Sequence, residues 1–219
     1  MKTGINKSLA IGLSLAAMTS PALADQNAEG NWTFRIGLGS TSINSQKYTL
    51  TGVGGATFRF EDAADLDLAL GYDWGKFRTE FEYSTLSTDI DDYEIDALPG
   101  TWTKLNGPLD IKSYSLKGYY DFRNGQKWQP YVGAGIGTTE ATLGQLSTHA
   151  DPATKTAGGK DSKTSYSLIA GLNYSATEKV DLYTEYEYRA TEKYDLGANY
   201  TKVASLDTNT ISAGVRFKF

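Results

Sequence analysis

Ten charged residues fall on the polar positions of short alternating segments: Arg35, Asp67, Arg78, Glu80, Glu82, Lys117, Glu185, Glu187, Arg189 and Arg216. Paired carboxylates such as Glu80/Glu82 are the raw material of general acid–base chemistry, which needs two protonation states held within reach of a substrate. Their i, i+2 spacing is also what one face of any strand provides, and neither a nucleophile nor a substrate pocket accompanies them. His149 is the single histidine and stands in Thr148-His149-Ala150-Asp151 with no partner at a diagnostic spacing, so it reads as a solvated loop side chain. Asp89, Asp91, Asp92, Glu94 and Asp96 are oxygen donors of the kind hard cations take. They lack an ordered ligand-loop motif and read as a solvated face. The glycines of GVGG and GAGIG fit no phosphate loop, because no helix follows them. No cofactor and no metal is expected, and catalysis is not.

The elements that must carry these charges are strands. In Val180 to Arg189 (VDLYTEYEYR), Val180, Leu182, Thr184, Tyr186 and Tyr188 share one face, while Asp181, Tyr183, Glu185, Glu187 and Arg189 share the other. The same split recurs in Trp32–Gly39, Leu66–Trp74, Phe77–Thr85, Ile111–Phe122, Trp128–Thr142, Tyr166–Tyr174 and Ile211–Phe219. These are eight candidate strands. Short turns at Gly75-Lys76, at RNGQK (123–127) and at 176–179 alternate with four long polar segments near 42–64, 86–110, 143–163 and 191–207. Within the first, Val53 to Phe60 suits a hairpin extension.

Composition narrows the class. The chain has 219 residues, 15 tyrosines, 23 glycines, 5 prolines and no cysteine, so a disulfide scaffold is excluded. No helical membrane span is expected from so polar an average. Residues 1–24 read as a secretory signal, with Lys2 and Lys7 ahead of an apolar run from Leu9 to Met18 and an Ala22-Leu23-Ala24 cleavage site. Residues 25–219 are then one domain. The net charge is −5, and cleavage would make it more negative by removing both lysines. An acidic exported chain without basic clusters argues against nucleic acid as partner.

Strand number, strand length and the alternation of long and short connections predict an all-β fold. It is an eight-stranded antiparallel transmembrane β-barrel with short periplasmic turns and four long extracellular loops. A soluble lipocalin-like barrel is the competitor, since alternation alone does not say which face looks out. Bulk decides against it. The apolar face carries Trp32, Trp74, Phe77, Phe81, Phe122, Trp128, Phe217 and Phe219 among its aromatics, more than a narrow interior holds, and aromatics fall near strand ends as two belts: Trp32, Trp74, Phe77, Phe122, Trp128, Tyr174 and Phe219 by the turns, and Tyr83, Tyr114, Tyr166 and Tyr188 by the loops. The opposite face mixes glycines with the ten ionic residues named above. In a narrow lumen those charges must pair or be hydrated. They make either a structural salt-bridge plug or an ion pathway with a gate.

The blocks WQPYVGAGIG (128–137), YSLIAGLNYSATEKVDLYTEYEYR (166–189) and ISAGVRFKF (211–219) resemble the Opa-like outer-membrane barrel family, similar in form to the OmpA transmembrane domain. The resemblance implies residence in the outer membrane of a Gram-negative bacterium. It also implies that the strand ending in Phe219 is read by the outer-membrane assembly machinery. Implied partners are outer-membrane lipid, lipopolysaccharide and a host or surface protein met by the loops; for the acidic patch, bridging to lipopolysaccharide through divalent ions is the alternative to a solvated face. No binding residue in the loops carries over. The expected role is structural and surface-exposed, with loop-mediated adhesion, and a narrow channel as the alternative.

Overall fold

The computed structural model describes residues 30–50, 54–123, 125–145, 147–148, 158–194 and 205–219. His149 and the expected signal segment, residues 1–24, lie outside the described residues. Twelve strands follow in chain order: β1 (Asn31–Ile43), β2 (Gln46–Leu50), β3 (Gly54–Phe60), β4 (Ala63–Asp73), β5 (Phe77–Ile95), β6 (Trp102–Asn106), β7 (Pro108–Asp121), β8 (Trp128–Leu143), β9 (Ser147–Thr148), β10 (Gly159–Ser175), β11 (Val180–Thr191) and β12 (Thr208–Lys218). Eight of them close a barrel in which each pairs antiparallel with its neighbour, in the order β1-β4-β5-β7-β8-β10-β11-β12. The ring is completed by β12 returning to β1, with Ile36 opposite Val215 and Gly37 opposite Gly214. Closure leaves no unpaired edge in the hydrocarbon region, where each orphaned N–H or C=O costs several kcal/mol.

The stretch expected to form a hairpin extension, Val53 to Phe60, supplies one arm of a hairpin as β3; the other arm, β2, lies before that range, and β3 then adds to the outer part of β5. The tight turns are as expected too. Gly75 and Gly125 take positive φ of 95° and 76°, a region open to glycine at little cost, and the Gly75 N–H donates to Asp73 Oδ1 at 2.7 Å.

The long polar segments differ from expectation. Segment 86–110 was expected to be loop, yet β5 runs on to Ile95 and β6 and the start of β7 fill most of the remainder; β10 likewise begins at Gly159. Strands of 19, 16 and 17 residues in β5, β8 and β10 exceed the 9–11 that cross a bilayer. The excess stands above the membrane. There the two faces exchange character. On β5 the outward side chains change from Phe77, Phe81 and Tyr83 to Thr85, Ser87 and Asp89, while the inward ones change from Arg78, Glu80, Glu82 and Ser84 to Leu86 and Ile90. On β7, Tyr114 gives way outward to Lys112 and Asp110, and Ser113 gives way inward to Ile111 and Leu109. The register sets Leu86 opposite Ile111 and Ile111 opposite Ala141, so the exchange runs at one level across three strands. Alternation persists; only the medium outside has changed, from lipid to water.

Candidate functional site

The lumen at membrane level is the densest gathering of chemistry-bearing groups. All ten charges named from the sequence point into it, and ion pairs join them into one network. Arg35 on β1 is its centre: Nη1 donates to Glu185 Oε2 at 3.1 Å, Nη2 binds Glu82 and lies 3.5 Å from Asp67 Oδ1, and Nε lies 3.2 Å from Glu80 Oε2. Lys117 on β7 places Nζ 2.7 Å from both Glu82 and Glu187. Arg189 reaches Glu187 at 2.8 Å and Glu82 at 3.4 Å, and also donates to Ser84 Oγ at 3.2 Å. Toward the periplasm Glu80 takes Arg78, and Arg216 at 3.5 Å. The strand period brings these groups together from β1, β4, β5, β7, β11 and β12.

Several members were not singled out from the sequence. Asp121 accepts from Arg78 Nε at 3.4 Å, and Asp181 lies 2.8 Å from Lys218 Nζ. Three lumen tyrosines also take part. Tyr131 donates to Glu185 at 2.9 Å, Tyr183 donates to Asp67 at 3.0 Å, and the Arg78 guanidinium lies 3.9 Å from the centroid of the Tyr119 ring. A signal for them exists in the glycines. A Cβ on Gly171 would stand 2.4 Å from Tyr131 Oη, one on Gly133 2.6 Å from the Tyr119 ring, and one on Gly37 1.9 Å from Tyr183 Oη. Each large ring occupies the space that a facing glycine leaves.

Among the described residues, Glu82, Glu185 and Glu187 are the carboxylates close enough to share a metal ion, with oxygens within 4.8 Å of one another. Lys117 and Arg35 already stand between them. The ammonium and guanidinium fill the place of an ion and neutralise the same charge. With every carboxylate of the set bound to a cation, none is poised as a free base.

Above this plug lies a second interior. Ile43, Leu86, Ile90, Leu109, Ile111 and Leu143 of the barrel strands form one buried apolar cluster at the barrel mouth with Phe58 of β3 and with Tyr194 and Leu206. Tyr194 is buried but satisfied, donating its hydroxyl to Thr139 O at 3.0 Å. The head's outer face is polar. Arg59 makes a bidentate pair with Asp92 at 2.7 Å for both bonds and stacks 3.6 Å above the Trp102 ring. Donating to the Asp92 carboxylate raises the pKa of this exposed guanidinium. Lys104 pairs with Asp91, and Glu94 accepts the Gly100 N–H. The acidic patch expected to be a solvated loop face is therefore built into strand β5, with Asp91, Asp92 and Glu94 partnered.

The outward surface at membrane level is apolar and aromatic, as a lipid-facing wall requires. Phe77, 62% exposed, and Trp128, 55% exposed, belong to the lower belt, where Trp128 packs on Tyr174 with centroids 4.7 Å apart. The Tyr83–Tyr114 pair, 5.2 Å apart, marks the upper one. Phe219 lies at the lower belt, its N–H donating to Trp32 O at 2.9 Å.

A closed β-wall with an aromatic, lipid-facing exterior and an ion-paired lumen defines a transmembrane barrel of the outer-membrane type. The chain belongs to the family described as outer membrane protein beta-barrel domain, which matches residues 10–219, and it resides in the outer membrane of a Gram-negative bacterium. No curated protein matches the sequence. Among solved structures it is similar in fold to OprG of Pseudomonas aeruginosa, with TM-score 0.63 and 16% identity, over 87% of this chain and 96% of that one. It is also similar to Neisserial surface protein A, with TM-score 0.56 and 18% identity, over 86% and 97% of the two chains. The outer membrane protease OmpT of Escherichia coli shares the fold at TM-score 0.50 and 13% identity, over 86% and 97%.

Proposed function

We propose that the protein is a non-enzymatic, non-conducting surface barrel that holds a rigid β-head above the outer membrane for attachment to a host or other surface protein. The observation that carries this reading is the apolar core inside the barrel mouth. A chain that opened a water path would gain nothing from filling its outer vestibule with Leu86, Ile90, Leu109 and Ile111, whereas a chain presenting a surface needs that surface held still. The ion-paired layer beneath adds a second seal, since moving an ion through it requires breaking buried pairs whose partners have no substitute. At the tip, Leu98 is 60% exposed, and Trp102, stacked under Arg59, keeps part of its surface open; apolar and planar side chains of this kind suit contact with a protein partner.

Planar-bilayer recordings on the folded barrel, together with attachment of cells displaying it, test the reading. The expected results are no reproducible conductance, and attachment to a host-cell or matrix surface that is lost when residues 96–101 are replaced by a Gly/Ser turn. Steady conductance would favour the narrow channel instead. Attachment indifferent to the tip would leave envelope structure as the role.

A further inference from the structure

The end of the barrel opposite the head carries a repeated device. Each of the three short turns holds one exposed lysine: Lys76 between β4 and β5, Lys127 between β7 and β8, and Lys179 between β10 and β11. In each case the lysine carbonyl accepts an N–H from the neighbouring strand. Asp121 N–H donates to Lys76 O at 2.8 Å, Ser175 N–H to Lys127 O at 2.9 Å, and Lys218 N–H to Lys179 O at 2.9 Å. The backbone of every turn lysine is thus pinned to the rim rather than carried on a free loop. Among the described residues none of the three has an ion-pair partner, and Glu178 is the exposed acid that accompanies them. Arg123 and Lys218, the other cations at this level, are held by Asp73 and Asp181.

The lysines stand at the level of the lower aromatic belt. Lys76 precedes lipid-facing Phe77, Lys127 precedes lipid-facing Trp128, and Lys127 Nζ lies 5.9 Å from the centroid of the Tyr174 ring. A lysine beside such a belt lays its aliphatic stem along apolar surface and presents its ammonium at headgroup height. The head at the far end is rich in Asp and Glu, so this feature is local and does not follow from the net charge of −5.

We infer that the periplasmic rim is a docking band for anionic phospholipid headgroups, with Lys76, Lys127 and Lys179 each offering an ammonium to a phosphate of the inner leaflet. The place of the turns next to the belt, with Lys127 Nζ over the Tyr174 ring, favours lipid over the carboxylates of the cell wall, which would be met further from the hydrocarbon. The inference rests on the membrane placement of the barrel and is independent of the attachment reading.

The test uses intrinsic fluorescence. Trp32, Trp74 and Trp128 belong to the lower belt and Trp102 to the head. The full chain is folded into phosphatidylcholine vesicles containing either brominated phosphatidylglycerol or brominated phosphatidylcholine as the quencher. Belt fluorescence should show a preference for the anionic lipid of roughly fivefold at low salt, the attraction expected of one surface lysine, collapsing toward none at about 1 M salt. The combined variant Lys76→Gln, Lys127→Gln, Lys179→Gln, checked for folding by its heat-shifted gel mobility, should be quenched equally by both lipids. Absence of a preference in the unaltered chain, a preference insensitive to salt, or one retained by the folded variant would each overturn the inference. So would lysine-dependent co-sedimentation with purified peptidoglycan without lipid preference, which would assign the rim to the cell wall.

Discussion

The same eight strands enclose two interiors of opposite character. At membrane level the outside is lipid and the inside is ionic, so that Arg35, Lys117 and their carboxylates meet in a space that glycines keep open. Above the membrane the outside is water and the inside is apolar, as in a soluble sandwich. The difference shows that a barrel wall does not fix what it contains. Whatever the exterior medium leaves unsatisfied is what the interior must supply: bulk is turned outward against lipid, and turned inward against water.

The two interiors should therefore fail in different ways. The largest effect is expected from Arg35→Met, which leaves Asp67, Glu80, Glu82 and Glu185 without their shared cation. About 3–5 kcal/mol of stability should be lost, read as a lower urea midpoint for the folded barrel in lipid vesicles. Leu109→Ala, in the head, should cost about 3 kcal/mol through the cavity it leaves. Its signature is local. Amide exchange should quicken at Leu86, Ile90 and Ile111 and not at Phe81 or Leu116, and the effects of Leu109→Ala and Arg35→Met should add to within about 0.5 kcal/mol. Exchange that quickens equally at both levels would show one cooperative interior and dissolve the distinction.

A smaller loss, about 1–3 kcal/mol, is expected for Gly171→Ala, whose methyl would press on Tyr131 and displace it from Glu185. The smallest belongs to Arg59→Ala on the head's surface. The urea midpoint should fall only slightly, as Asp92 loses a partly exposed partner, while the fluorescence that survives brominated-lipid quenching, which is that of Trp102, becomes more accessible to acrylamide as its stacked guanidinium is removed.

Most of the wall was legible because a strand has a strict period of two and lipid demands one apolar face. Leu182, Tyr186 and Tyr188 against Glu185, Glu187 and Arg189 needed no more than that. The lumen network was legible for the same reason: charges on the inward phase of a narrow barrel have only one another to meet. The head was not. Leu86 and Ile90 continue the alternation of β5 without a break, but their phase is the one that carries charge lower down, so a reading tied to one apolar face ends the strand at Thr85. Long-range pairing hid the remainder, since nothing local in Gln46–Leu50 or Trp102–Asn106 names its partner across the head. Tyr119, Tyr131 and Tyr183 do not stand out in the sequence, because an aromatic on a polar face looks like an exception. Only the glycines facing them on the lumen wall show that space was kept for them.

The exchange of faces along β5 and β7 has a consequence for how such a surface can vary. Each head strand offers alternate positions: Ser87, Asp89 and Asp110 look outward, while Leu86, Ile90 and Leu109 hold the core. Substitution can exchange the first set freely, one residue at a time, and leave the second untouched. Diversity at this surface would then be written in a two-residue rhythm along the strands, with unrestricted change confined to the turns that join them.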